Sequence, residues 1–168
     1  MMETIFKRRS IRHYTKQPVT AEQIDRLLHA AMAAPSAGNQ QTWEFIVINQ
    51  RDLLDAIPEF HPYSWMCNEA PAAILVCGNL HRETNPGMWV QDCAAATQNI
   101  LLEATDLGLG SVWVGVYPRD DRMDGFRKLL KITDPKVIPF SLIPVGYPDE
   151  VRPERDNYEA GRIHRNEW

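Results

Sequence analysis

The spacing of apolar residues changes several times along the chain, and each change predicts an element. After Pro18-Val19-Thr20, the residues Ile24, Leu27, Leu28, Ala31 and Met32 fall on one face of an α-helix. Thr20 and Gln23 have the spacing of a capping box, Val19 and Ile24 that of a hydrophobic staple, and Pro35 ends the segment. Trp43 to Ile48 is β-branched and aromatic, which predicts a strand. Arg51 to Ile57 predicts a short helix closed by Pro58, and Phe60 to Asn68 an irregular loop carrying Phe60, Tyr63 and Trp65. Ala72 to Cys77 is continuously apolar, the pattern of a buried strand.

Met88 to Leu107 predicts a long helix with Gly108 just past its end. Its middle, Cys93 to Thr97, is small on every side, so neighbours crowd it in the centre of a structure or at a subunit interface. Its polar exceptions, Asp92 and Gln98, are assigned to solvent or to a rim. Val112 to Val116 predicts a strand holding Gly115, a glycine that marks a bulge or the close approach of another group. A helix starts at Pro118-Arg119-Asp120-Asp121 with Phe126, Leu129 and Leu130 inward. Phe140 to Gly146 is the last strand, with Pro144 arguing for a bulge or an edge. At the start, Ile5 and Phe6 predict a short helix or turn packed onto the body. At the finish, Trp168 predicts that the tail from Tyr147 is docked.

The length, 168 residues, predicts a single domain over 1–168, large enough to bury about 70% of its unfolded surface without staples. A net charge of −4 gives no general attraction for nucleic acid, and no apolar run approaches the ~18 residues of a membrane span. Cys67, Cys77 and Cys93 have no metal or redox spacing. Cys77 and Cys93 look like small buried hydrophobes, and a reducing cytoplasm fits best, with no secretory segment at Met1. The five histidines form no ligand pattern, so no metal is assigned.

Against this acidic background Arg8-Arg9-Ser10-Ile11-Arg12 stands out. Guanidinium forks match phosphate or carboxylate oxygens, and in an extended segment Arg8, Ser10 and Arg12 point the same way. A local cluster on an acidic protein favours a small anionic ligand over a polyanion. The loop Pro35-Ser36-Ala37-Gly38-Asn39-Gln40-Gln41 is dense in amides and hydroxyls, between a strong helix and a strong strand. A simple turn accounts for Gly38 and Asn39 but leaves Gln40 and Gln41 without a role. Gly108-x-Gly110-x-x-Trp113 is no dinucleotide fingerprint, because it ends a helix and lacks the third glycine.

These segments, with Gly108-Leu109-Gly110-Ser111-Val112-Trp113-Val114-Gly115 and Gly146-Tyr147-Pro148, together resemble the FMN-dependent nitroreductase family. The resemblance implies an α+β fold, a central mainly antiparallel sheet flanked by helices, built as an intertwined homodimer with flavin at the subunit interface. It puts Arg8, Ser10 and Arg12 on the FMN phosphate, with Arg9 adding a contact and Arg155 helping from the tail; Arg152 is the weaker candidate. Pro35, Ser36, Asn39 and Gln41, from the neighbouring subunit, border the isoalloxazine and ribityl. Val114 and Gly115 lie by the ring, the Gly115 amide facing flavin N5. The implied activity takes hydride from NADH or NADPH and passes electrons to a small-molecule acceptor such as a nitroaromatic or quinone, with no protein nucleophile.

Two departures qualify the match. Thr42 precedes Trp43 where many relatives have Pro, and the connection 78–87 is too short for the helical excursion that covers the pocket in larger members. The substrate side would then be more open, or be covered by Phe60 to Trp65 instead. Alternatives within the fold are dehalogenation or flavin fragmentation, and outside enzymes a module that only binds flavin or an anion.

Overall fold

The computed structural model describes residues 2–168. A short helix α1 (Met2–Lys7) leads through the Arg segment to α2 (Ala21–Met32), β1 (Trp43–Ile48) and α3 (Arg51–Phe60). Then come β2 (Ala72–Asn79), the long α4 (Trp89–Asp106), two short strands β3 (Gly110–Ser111) and β4 (Val114–Gly115), α5 (Asp120–Leu130) and β5 (Val137–Gly146). The strands form one sheet in the order β1-β2-β5-β3, with β4 also on β5, and every pairing is antiparallel. This is the α+β arrangement that the sequence predicts.

Helices cover both faces of the sheet. Ile74 and Val76 of β2 meet Leu27, Ala31, Cys93, Ala96 and Ile100 of α2 and α4. Ala73, Leu75 and Cys77 alternate to the other face, against Leu54, Ile57 and Phe126 of α3 and α5. A strand with two dry faces needs an unbroken apolar run, even in an antiparallel sheet. The small residues of α4 let it lie close to the strands: Thr97 Oγ1 is 2.7 Å from Cys93 O and 2.8 Å from Ser141 Oγ. The capping box of α2 forms as read, Gln23 N donating to Thr20 Oγ1 and Thr20 N to Gln23 Oε1.

Four expectations are corrected. α3 runs through Pro58 to Phe60, because Pro removes one amide only and His61 N still closes the last turn on Ile57 O. Pro144 is not on an edge: β5 lies between β2 and the β3/β4 side. The sheet's register shift falls instead between Val76 and Cys77, opposite Ser141 and Pro139. Pro144 does break the ladder on the β3/β4 side, where pairing stops after Ser111 and resumes at Val114, so the predicted 112–116 strand is two short pieces. The whole tail from Val151 is exposed, Trp168 fully so, whereas α1 does pack against α4 as expected, with the Ile5 and Phe6 side chains left exposed.

Candidate active site

The Arg segment is laid onto the sheet by its neighbours in sequence. Ser10 bridges Ser111 in parallel, and Ile11 N donates to Ser111 O at 3.0 Å. Ile11 turns inward onto Gly110, where a Cβ would come within 2.6 Å of it, so only glycine permits the approach. The buried Tyr14 hydroxyl lies 2.7 Å from Ile11 O and 3.2 Å from Pro144 O, satisfying the carbonyl of the residue that broke the ladder. Glu150 accepts from Arg12 N at 2.6 Å and His13 N at 3.3 Å. Its burial would raise its pKa, but these amides and Arg152 outweigh that and hold it below the usual carboxylate value.

With Ile11 inward, Ser10 and Arg12 face outward beside a cavity of about 660 Å³ that Arg8, Arg9, Arg152 and Arg155 also line. Arg8 gets there by another route than strand alternation: its amide still donates to Thr4 O, at the end of α1. Five guanidiniums around one hollow repel each other. Among the described residues Arg152 alone of the five is ion-paired, with Glu150 at 2.5 Å. Arg9 carries a buried Nη1 without a hydrogen-bond partner. Desolvation, then the charges of Arg155, Arg8 and Arg152, push its pKa down. Asp156 also lines the hollow and is ion-paired with none of them among the described residues, so four cations face one carboxylate, an excess that suits an added anion.

Arg12 also lines a second cavity, of about 280 Å³, with Tyr63, Trp65, Trp113, Val114 and Gly115. Val116 N donates to Phe140 O, so by antiparallel alternation the Gly115 N–H and C=O both point away from β5. Its carbonyl accepts from His61 Nε2 at 2.9 Å and Arg122 Nη1 at 2.8 Å. Tyr63 N lies 3.4 Å from His61 Nδ1, which assigns the ring proton to Nε2. Burial, reinforced by the Arg122 charge, holds the His61 pKa below the ordinary value. A Cβ on Gly115 would meet nothing within 4 Å, so the chain's own packing leaves room at this point.

Pro35, Ser36, Asn39 and Gln41 line neither cavity of their own chain. Pro35, Asn39 and Gln41 are exposed and Ser36 is half-buried, on a loop with left-handed backbone at Gly38, Asn39 and Gln41. What holds that loop is Asp92. Expected at a rim, it is buried, accepting from Ala37 N at 2.9 Å, Gln40 Nε2 at 2.7 Å and Thr42 Oγ1 at 3.1 Å. Gln40 Oε1 in turn accepts from the amides of Thr84 and Asn85, both at 2.9 Å. Gln40 therefore has a structural role, and Thr42 supplies a bond that a proline at this position could not.

A paired anion cavity and open backbone amide, joined at Arg12, suit a flat ligand with a charged tail. The family model described as Nitroreductase family matches residues 5–72 and 63–147. The chain belongs to the nitroreductase family. It is 51% identical, over all of its length and 87% of the other's, to a Methanothermobacter thermautotrophicus protein provisionally named NADH dehydrogenase/NAD(P)H nitroreductase. The structure is similar to an FMN-dependent nitroreductase from Clostridium difficile, with a TM-score of 0.92, 30% identity and full coverage of both chains. It is also similar to a provisionally assigned Desulfovibrio desulfuricans nitroreductase solved with FMN, with a TM-score of 0.84, 29% identity and coverage of 99% and 96%.

The residues of this nitroreductase chain fit FMN on their own evidence. The partnerless Arg9 Nη1 suits a phosphate, and the empty volume beside Gly115 suits a ring. Sequence reading missed His61 and Arg122 altogether. Neither has a periodic or motif signal; Arg122 follows Asp120 and Asp121 and reads as an ordinary surface charge. All three cysteines are buried, and burial pushes the Cys67 and Cys77 thiols up to about 12 and that of Cys93 up as well, the setting of packed rather than reactive thiols. Among the described residues there is no metal-ligand cluster, and no helix is long and apolar enough to cross a membrane.

Proposed function

We propose that this chain is an FMN-dependent NAD(P)H oxidoreductase of nitroaromatic- or quinone-type acceptors, working as a homodimer. The observation that carries this reading is the sharing of Arg12 between the arginine-lined cavity and the one at Gly115. Arg8, Ser10, Arg12 and Arg155 hold the phosphate, Arg9 offers its free Nη1 to it, and Arg152 stays committed to Glu150. Val114 supports the ring, and the Gly115 N–H, pointing away from β5, donates at flavin N5. When bound, FMN supplies the redox chemistry, accepting hydride from NADH or NADPH and releasing electrons to the second substrate in a ping-pong cycle. Tyr63, Trp65 and Trp113 give that cavity flat apolar walls for a planar substrate.

Pro35, Ser36, Asn39 and Gln41 reach the ring only from a second copy, which is the reason for placing the site at a dimer seam. The exposed apolar residues Val151, Tyr158, Ile163 and Trp168 on the tail support the same assembly. The test is optical. Purified protein is expected to be yellow, to bleach with NAD(P)H and to regain colour with a nitroaromatic or quinone. Protein that is colourless and takes up no added FMN overturns the reading in favour of an anion-binding module. Flavin that stays oxidised under excess NAD(P)H points to another flavin chemistry in the same fold.

A further inference from the structure

Gly115 is the backbone position that most needs fixing, since glycine has the widest conformational freedom and its amide is the group aimed into the cavity. The chain fixes it through the carbonyl, which points the same way. Its carbonyl takes two donors at once, His61 Nε2 at 2.9 Å and Arg122 Nη1 at 2.8 Å. His61 is fully buried and oriented in turn by the Tyr63 amide. Arg122 comes from α5, stands with its guanidinium carbon 5.3 Å from the centre of the Tyr63 ring, and has a buried Nε without a partner. Among the described residues no acidic side chain lines this cavity; its charged residues are Arg12 and Arg122.

We propose that His61 is the positioning residue that sets the Gly115 peptide, and that Arg122 is the cation that stabilises the reduced flavin at this point. The proposal rests on the flavin reading above. Hydride transfer adds two electrons and one proton, so the ring gains one negative charge and the nicotinamide loses one. A fixed guanidinium beside Gly115 lowers the free energy of the charged, reduced form relative to the neutral, oxidised one. Arg12 lines this cavity too but is shared with the arginine-lined one, whereas Arg122 lines this cavity alone.

The experiment is the midpoint potential of FMN bound to the full-length protein, compared among the parent, Arg122→Gln and Arg122→Lys. Gln keeps a donor for the Gly115 carbonyl and drops the charge; Lys keeps the charge and drops the planar fork. Arg122 is half-exposed, so both variants retain the fold, checked by circular dichroism. Arg122→Gln is expected to lose about tenfold in preference for reduced over oxidised FMN, about 30 mV for a two-electron couple. Arg122→Lys is expected to keep most of it. A Gln variant at the parent potential, or a Lys variant as low as Gln, overturns the proposal. Parent protein that binds no FMN overturns the flavin reading itself, a different result from bound flavin with an unmoved potential.

Discussion

Arg12 belongs to both cavities, while Lys7, five positions earlier, is spent on a surface ion pair with Glu3 at 2.7 Å. A charge-assisted bond is worth about 1.5–3 kcal/mol, so Arg12→Ala is expected to weaken FMN binding by about 10- to 100-fold. Lys7→Ala should leave it near the parent value; equal retention in the two, by fluorescence titration of released flavin, would remove Arg12 from the phosphate site. His61 makes a separate prediction about stability. Its native pKa lies below the ordinary 6.5, chiefly through burial. Below pH 6.5 the unfolded chain therefore binds a proton that the native chain refuses, and stability falls as pH falls from there toward the native pKa. Above 6.5 this group contributes no slope. Urea melts of the parent and His61→Gln across that window should diverge at the acid end in this sense; curves that stay parallel would contradict it.

At the scale of elements, a buried carboxylate links the loop after α2 to the start of α4. Asp92 gathers three donors from residues 37–42, which anchors the left-handed backbone at 38, 39 and 41 in place. Asp92→Ala leaves Gln40 and Thr42 without their buried acceptor, and is expected to cost on the order of 3 kcal/mol in urea unfolding. A loss under about 0.5 kcal/mol, the usual range for a surface substitution, would show that the loop holds itself. On the other side of the sheet, Pro144 and the β3/β4 strands make a complementary arrangement. The missing ladder bond leaves a carbonyl for Tyr14, and Tyr14 secures the Arg segment.

The whole molecule is open at both ends. α1 presents Ile5 and Phe6 outward, and the tail carries Trp168 at full exposure, beside an arginine cavity that the tail itself helps to wall. Deleting residues 151–168 removes Arg152 and Arg155 along with the apolar residues assigned to a second copy. The truncated protein is expected to sediment as a monomer, or dissociate at much higher concentration than the parent, and to lose FMN on gel filtration. A truncated protein that remains a flavin-loaded dimer would place both the seam and the phosphate grip elsewhere.

The sequence by itself determined the elements and most of the arginines that line one cavity. Helix faces, the capping box, the two-sided burial of β2 and the anion-seeking arginines are local or periodic features, and periodicity survives in one dimension. The outward placing of Ser10 and Arg12 and the glycine at 115 were legible for that reason; Arg8 lines the same cavity from the end of α1, and Arg155 was read from family resemblance alone. Only the tertiary structure decided what Asp92, Gln40, His61 and Arg122 do. For Asp92, Gln40 and His61 that role is a hydrogen bond to a partner 44 to 55 residues away, which leaves no spacing to read; Arg122 bonds only seven residues back, across an irregular turn that has no period. Burial gives those bonds their weight, because a polar group withdrawn from water must find its partner inside the fold.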